Sequence, residues 1–368
     1  MDFRYLPRQD LQLLIDALRQ QAYRLLGPVV RQNAIVYDVI ESVAELPVGI
    51  QDEQSPGSYR LHQVDSPRNF AWANSPQALK PLSFAPRESL WSARRDEHGV
   101  LSFEPCLPEP EQIAVIGIRA CDLAALDLQD RHFLQQNADP AYERRRESLF
   151  LIAVNCSHPA ATCFCSHSGD GPSVKTGYDL VMTELDDGYL IASGSLRGKL
   201  LLEEFSWAVA SAEQRREAEL QAQASIEQMQ AQAAPDLSAT DVLTSRLEHP
   251  RWEEVAARCL ACGNCTAVCP SCFCHREIDE TELGSPTTTH LREWDSCFGQ
   301  GHSYIHGLTV RSETRLRYRQ WLTHKFATWK EQYGRIGCTG CGRCISWCPV
   351  GIDVREELAA LCEDAAHV

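Results

Sequence analysis

The sequence predicts an α/β (α+β) N-terminal domain, a helical linker, and a C-terminal domain built on a duplicated cysteine run. Three observations lead there. Apolar runs, a helical pattern and a hairpin alternate between residues 113 and 193; residues 206–234 shift to Ala, Gln and Glu; and the pattern of residues 259–270 recurs at 338–349. The expected boundaries are 1–205, 206–250 and 251–368, and 368 residues are enough for two or three domains.

Taken in order, "DLQLLIDALRQQAYRLLG" (10–27) has apolar residues at helical spacing and predicts a helix stopped by Gly27. A stretch punctuated by Pro and Gly follows, in which "SPGSYRL" and "PLSFAPRESLW" read as short strands and loops. "IAVIGIRACDLAALDLQDRHFL" then turns from a buried-looking strand into a helix, with Asp122 suited to cap it. "SLFLIAVNC" is a second such strand, and "YDLVMTELDDGYLIASG" predicts a hairpin turning at Asp186, Asp187 and Gly188. "SAEQRREAELQAQASIEQMQAQAAP" has strong helix formers and few apolar anchors, so a solvated linker helix ending at Pro235 is expected.

Charge and composition narrow the function. With 50 acidic against 35 basic residues and a net charge of −15, the chain lacks the basic footprint that nucleic acid requires. "MDFRYLPRQDLQ" has no basic-then-apolar export pattern, and no apolar run approaches the roughly 18 residues of a membrane span. A cytoplasmic location is the expectation. In that reducing setting, 17 closely spaced cysteines point to metal ligands rather than disulfides.

The duplicated run is the strongest signal. "CLACGNCTAVCP" carries Cys259, Cys262, Cys265 and Cys269, and "CTGCGRCISWCP" carries Cys338, Cys341, Cys344 and Cys348. Both are C-x₂-C-x₂-C-x₃-C-P, the bacterial two-cluster ferredoxin run, in which the fourth cysteine ligates the other cluster. Two [4Fe–4S] clusters are expected, one on Cys259, Cys262, Cys265 and Cys348, the other on Cys338, Cys341, Cys344 and Cys269. Zinc sites usually combine two cysteine pairs, so a zinc-binding structural adaptor is the weaker reading.

A long insertion, 275–335, separates the two runs. Cys272, Cys274 and Cys297 lie in or beside it and are one thiol short of a cluster; buried structural thiols are the default for them, and a cubane with a non-cysteine fourth ligand is the weaker alternative. "RSETRLRYRQWLTHKFATWK" reads as a solvated helix face, with a docking surface or a positive lining for reduced clusters as the functional alternative.

Three further cysteines crowd "NCSHPAATCFCSHSGDGPS". If the strands before Cys121 and Cys156 are parallel neighbours, both cysteines emerge at one sheet edge, where the following loop can deliver Cys163 and Cys165. Cys121 would also stand at a helix N-terminus, which favours a thiolate. Four thiols suffice for a third cluster, but a zinc site, structural thiols or a switchable Cys163–Cys165 pair fit the spacing as well. His158 and His167 read as surface or supporting residues.

"GIRACDLAALDLQDRHFL", "NCSHPAATCFCSHSGDGP", "CPSCFC", "REWDSCF" and "HKF" occur in this order, and together they resemble the iron–sulfur β subunit of cytosolic NAD(P)-linked NiFe hydrogenases of the sulfhydrogenase type. The A subunit of anaerobic sulfite reductases is similar. The resemblance runs from "LPVGIQDEQSPGSYRL" to "CPVGIDV". "GQGHSYIHG" departs from it where a Gly-Gly-His-Asn-like turn is expected. The resemblance implies a third [4Fe–4S] cluster on Cys121, Cys156, Cys163 and Cys165. It also implies a subunit that relays electrons without catalysing a reaction, placed between a flavin-containing NAD(P)H-reactive subunit and NiFe hydrogenase subunits, or sulfite reductase subunits in the alternative. The absence of a G-x-G-x-x-G fingerprint after a strand is consistent with a chain that binds no dinucleotide itself.

Overall fold

Two apolar strands set the centre of the N-terminal sheet. Ile113–Ile118 and Leu149–Val154 are buried at every position, as parallel strands covered on both faces must be. They pair in parallel within a seven-stranded sheet ordered Arg4–Pro7, Gly188–Ser193, Leu180–Glu184, Leu149–Val154, Ile113–Ile118, Arg24–Arg31, Ala34–Val39. The four inner strands are parallel, and antiparallel partners close both edges. This arrangement comes from a computed structural model, which describes residues 2–77, 79–109, 111–232 and 236–363.

Alternation along the inner strands builds two cores. Ala114, Ile116, Phe150, Ile152 and Met182 pack with Leu11, Leu14 and Leu18 of the helix Leu11–Gln20. Val115, Leu151, Ala153 and Val181 face the other way, toward Leu123 and Leu126 of the helix Ala120–Leu134. Where Ile113–Ile118 ends, the register slips and Gly117 takes a φ of 94°. A Cβ there would lie 3.1 Å from the Phe70 ring. Such a bulge re-aims the chain that follows it, here toward Cys121.

The helix expected over 10–27 ends at Gln20, and Arg24–Arg31 is a strand. Ala22 turns the chain at a φ of 62°, and the β-branched Val29 and Val30 then favour extended backbone. Gly27 stops no helix; it leaves room for Ile40 against the strand. The hairpin Leu180–Glu184 to Gly188–Ser193 turns where the sequence indicates.

The linker helix Ala212–Gln230 opens on a reciprocal cap. Ser211 Oγ accepts from the Gln214 amide at 3.1 Å, and Gln214 Oε1 accepts from the Ser211 amide at 2.9 Å. Most of this helix is exposed, but Ser225 and Met229 are buried. Pro235, expected to end it, lies outside the described residues.

The insertion between the two cysteine runs forms a hairpin, His275–Thr281 with Thr287–Trp294. It joins Arg87–Arg95 and Leu101–Pro105 in a four-stranded antiparallel sheet. This ladder therefore joins strands nearly two hundred residues apart in the chain. Among the described residues no helix is long and apolar enough to cross a membrane.

A second core gathers Trp252, Val255, Phe298, Tyr318, Trp321, Phe326, Ile345 and Leu358. Phe164, from the N-terminal part, is buried in it at 1% exposure. Its amide donates to Gly340 O at 2.8 Å. At Gly340, φ is 64°, and a Cβ would lie 2.5 Å from the Cys165 nitrogen. Gly340→Ala should therefore lower stability by ~1 kcal/mol for backbone strain and by a further ~1–3 kcal/mol for overlap. Gly99→Ala, where φ is 83° and nothing lies within 4 Å, should show the strain alone. Comparing the thermal unfolding midpoints of the two variants checks this.

Candidate iron–sulfur centres

The two cysteine runs fold alike. Each loop holds two left-handed residues, Ala261 and Gly263 in the first and Gly340 and Gly342 in the second. Short helices follow, Asn264–Ala267 and Arg343–Ser346. Positive φ turns backbone amides inward, a geometry that cradles negative charge. The amides of Ala261 and Gly340 each donate to the first sulfur of their own run, Cys259 Sγ and Cys338 Sγ, at 3.4 Å. The Ile352 amide donates to Cys348 Sγ at 3.3 Å. Amide bonds to sulfur are among the levers that set a cluster's potential.

Folding brings the fourth cysteine of each run beside the other run. Cys259, Cys262, Cys265 and Cys348 line one pocket together with Cys344, walled by Tyr318 and Trp321. Burial pushes the Cys265 thiol well above its ordinary pKa, and the charges of Cys259, Cys262 and Cys348 push it further. Cys262 is exposed, and Leu260 and Val350 stand open to solvent beside it. Cys338, Cys341 and Cys344 instead gather with Cys269. Burial raises the Cys344 thiol, and Cys338, Cys341 and Cys269 add to the rise. Cys338 is pushed up to about 12, first by burial and then by Cys341. Cys344 also feels Cys265, so the two sets are neighbours.

The third group converges at the sheet edge. The parallel strands Ile113–Ile118 and Leu149–Val154 end side by side, delivering Cys121 and Cys156. Cys121, Cys163 and Cys165 pack in one buried group with Cys341 and Met229. Burial raises the Cys163 thiol, and Cys156 raises it further. The structure thus brings all four together and sets them against Cys341. Asn74 spans this boundary, with Nδ2 2.8 Å from Cys341 O and 3.8 Å from Cys163 Sγ. The linker helix closes the site: Cys165 Sγ lies 3.7 Å from Met229 Sδ, and Ser225 Oγ donates to Cys156 O at 3.0 Å.

Two details of the expected Cys121 environment are corrected. The cap position belongs to Arg119, and the helix starts at Ala120. Asp122 is buried and pairs with Arg343 at 2.7 Å. The Cys121 thiol is raised rather than lowered, by burial first and Asp122 second, which together outweigh the helix end.

Buried cations surround the sulfurs. Arg119, Arg343, Lys80 and Lys325 are all buried. Arg119 stacks 4.1 Å from the Trp72 ring centroid and donates to Phe70 O and Trp72 O at 2.8 and 2.6 Å. Its Nε and Nη1 have no hydrogen-bond partner. Burying an uncompensated charge costs several kcal/mol, so such a group calls for an anion nearby. Burial works against the Lys325 charge, but Cys269, Cys272 and Cys338 raise its pKa overall. Four sulfurs per set beside buried cations fit an anionic, thiolate-ligated cluster.

The basic–aromatic stretch is core rather than a solvated face. Arg317, Tyr318, Trp321, Leu322, Lys325 and Phe326 are buried, because the aromatic side of this segment walls the first pocket and Lys325 reaches the second. His167 is exposed, and His158 Nε2 lies 3.1 Å from Asp52 O. No three His, Cys, Asp or Glu among the described residues close on a point as a single ion would need. Met229, Asn74 and Lys80 carry no sequence signal for their places beside the sulfurs; Lys325 had one, in "HKF", and Arg119 another, in "GIRACDLAALDLQDRHFL".

Residues 258–352 match the family model described as a 4Fe-4S dicluster domain, which makes the C-terminal part an iron–sulfur dicluster domain. Beyond that segment, the chain is similar to Sulfhydrogenase 2 subunit beta of Pyrococcus furiosus. The two are 28% identical over 306 residues, which cover 80% of this chain and 86% of that protein. No solved structure matches the chain.

Asp122 and Arg343 are each 1% exposed, and their bond ties the sheet edge to the second cysteine loop. Asp122→Ala should lower stability by about 3–5 kcal/mol by leaving a guanidinium buried and unpaired. Urea unfolding, followed by tryptophan fluorescence, measures the loss.

Proposed function

We propose that the chain is the electron-transfer iron–sulfur subunit of a sulfhydrogenase-type complex. It relays electrons between a flavin-containing, NAD(P)H-reactive subunit and a NiFe hydrogenase module. Its [4Fe–4S] clusters are held by Cys259, Cys262, Cys265 and Cys348; by Cys338, Cys341, Cys344 and Cys269; and by Cys121, Cys156, Cys163 and Cys165. The observation that carries this reading is the unbroken row of three cysteine sets, in which Cys344 adjoins Cys265 and Cys341 adjoins Cys163 and Cys165. Similarity to a sulfhydrogenase β subunit supports the choice of hydrogenase over sulfite reductase.

Bound clusters supply one-electron redox chemistry, and the chain's residues do the rest. Amides of Ala261, Gly340 and Ile352 hold charge on sulfur. Lys325 and Arg343 stabilise the more negative, reduced state of the middle set. Met229 and the linker helix keep water from the third. Exposed Cys262, flanked by Leu260 and Val350, makes the first set the one nearest a partner's surface.

Iron and acid-labile sulfide per chain, measured on anaerobically purified protein, test the assignment. Cys163→Ser should lose about four irons; unchanged iron would return the N-terminal cysteines to a structural role. Zinc in a colourless protein would favour the adaptor reading. Cys348→Ser should remove the electron paramagnetic resonance (EPR) signal of the set containing Cys259 and spare that of the set containing Cys338. Lys325→Met should make the middle cluster's reduction potential more negative in an EPR-monitored titration.

A further inference from the structure

The insertion between the two cysteine runs builds a site at its own base. In its hairpin, His275 pairs with Trp294, and the Asp295 amide donates to Cys274 O at 2.9 Å. This clamp brings Cys272 and Cys274, which precede the hairpin, against Cys297, which follows it. The three line one pocket, walled by Phe273, Trp321 and Trp329. Cys274 lies beside both Cys297 and His302. None of the three cysteines belongs to the three sets described above.

His324 lines this pocket and His302 lies outside the lining, beside Cys274; their hydrogen bonds separate them. His324 is occupied on both sides: its Nε2 accepts from Trp329 Nε1 at 3.0 Å, and its ring also bonds Gln332. The Nδ1 of His302 is instead 3.1 Å from an Asp295 carboxylate oxygen, and the ring faces Cys274. A carboxylate on one ring nitrogen is the usual way a protein orients a histidine whose other nitrogen binds metal.

We propose that Cys272, Cys274, Cys297 and His302 hold a fourth [4Fe–4S] cluster. Three thiolates and an imidazole complete the four ligands a cubane needs, and the aromatic walls exclude water. Lys325 borders the same pocket and supplies a buried cation. The site adjoins both ferredoxin-type sets, because Cys272 lies beside Cys269 and Cys297 beside Cys265. A cluster here is a side branch between the first two sets. It rests on the iron–sulfur reading of the whole chain.

The test uses the full chain purified without oxygen. Cys274→Ser and Cys297→Ser should each lose about four irons while the EPR signals of the ferredoxin-type sets persist. In the unmutated protein, pulsed EPR should detect strong nitrogen coupling to one reduced cluster. His302→Cys should abolish that coupling and keep the iron. Unchanged iron in both serine variants overturns the fourth cluster, as does iron loss that removes the ferredoxin-type signals. Absence of nitrogen coupling overturns the histidine ligand without relying on any variant. If the unmutated protein holds no iron, the relay reading itself fails, which is a different result from iron that is present but indifferent to Cys274 and Cys297.

Discussion

Phe164 is the fastening on which the arrangement of sulfur sites depends. It stands between Cys163 and Cys165 yet is buried in the C-terminal core, and its amide is bonded to Gly340 O. With a cysteine on either side, its insertion presses the N-terminal thiols against the second cysteine loop. Gly340 and Gly342 permit the approach because a side chain at either position would meet the backbone of residues 162–165. The Asp122–Arg343 pair secures the same contact from the sheet side. Two lobes with separate apolar cores therefore share one sulfur-lined seam, and Cys341 stands in it.

That seam is cationic although the molecule is acidic. The chain carries a net charge of −15, but Arg119, Arg343, Lys80 and Lys325 are buried around the sulfurs. Surface carboxylates and interior cations do different jobs. The former set the molecule's net charge, and the latter offset sulfur charge where water cannot. Lys80 shows how local the effect is. Burial lowers its pKa and the charges of Cys272 and Cys269 raise it, while its ammonium rests 3.8 Å from the Trp294 ring centroid.

Much of this was legible in the sequence where spacing alone determines geometry. The paired cysteine runs announce the dicluster domain, and the apolar runs before Cys121 and Cys156 announce parallel strands whose ends meet. Long-range contacts were not legible. Nothing in "SIEQMQ" says that Met229 will touch Cys165, and nothing around Phe164 says that it will enter another core. The basic–aromatic stretch misled because charge density was read as exposure, whereas Arg317 is held by the carbonyls of Phe298, Arg311 and Ser312 inside the fold. Residues 24–31 misled because leucines continued the helical period past the point where Ala22 turns the chain.

The four-stranded sheet has a consequence for how the molecule is made. Arg87–Arg95 and Leu101–Pro105 leave the ribosome early, but Thr287–Trp294, the partner of the first, is synthesised long afterwards. Until then Arg87–Arg95 is an open edge, the kind of surface that recruits unwanted strands. The nascent chain must wait with that edge unpaired. Thr287–Trp294 follows the first cysteine run and precedes the second, so the edge closes between the making of the two runs, not before both.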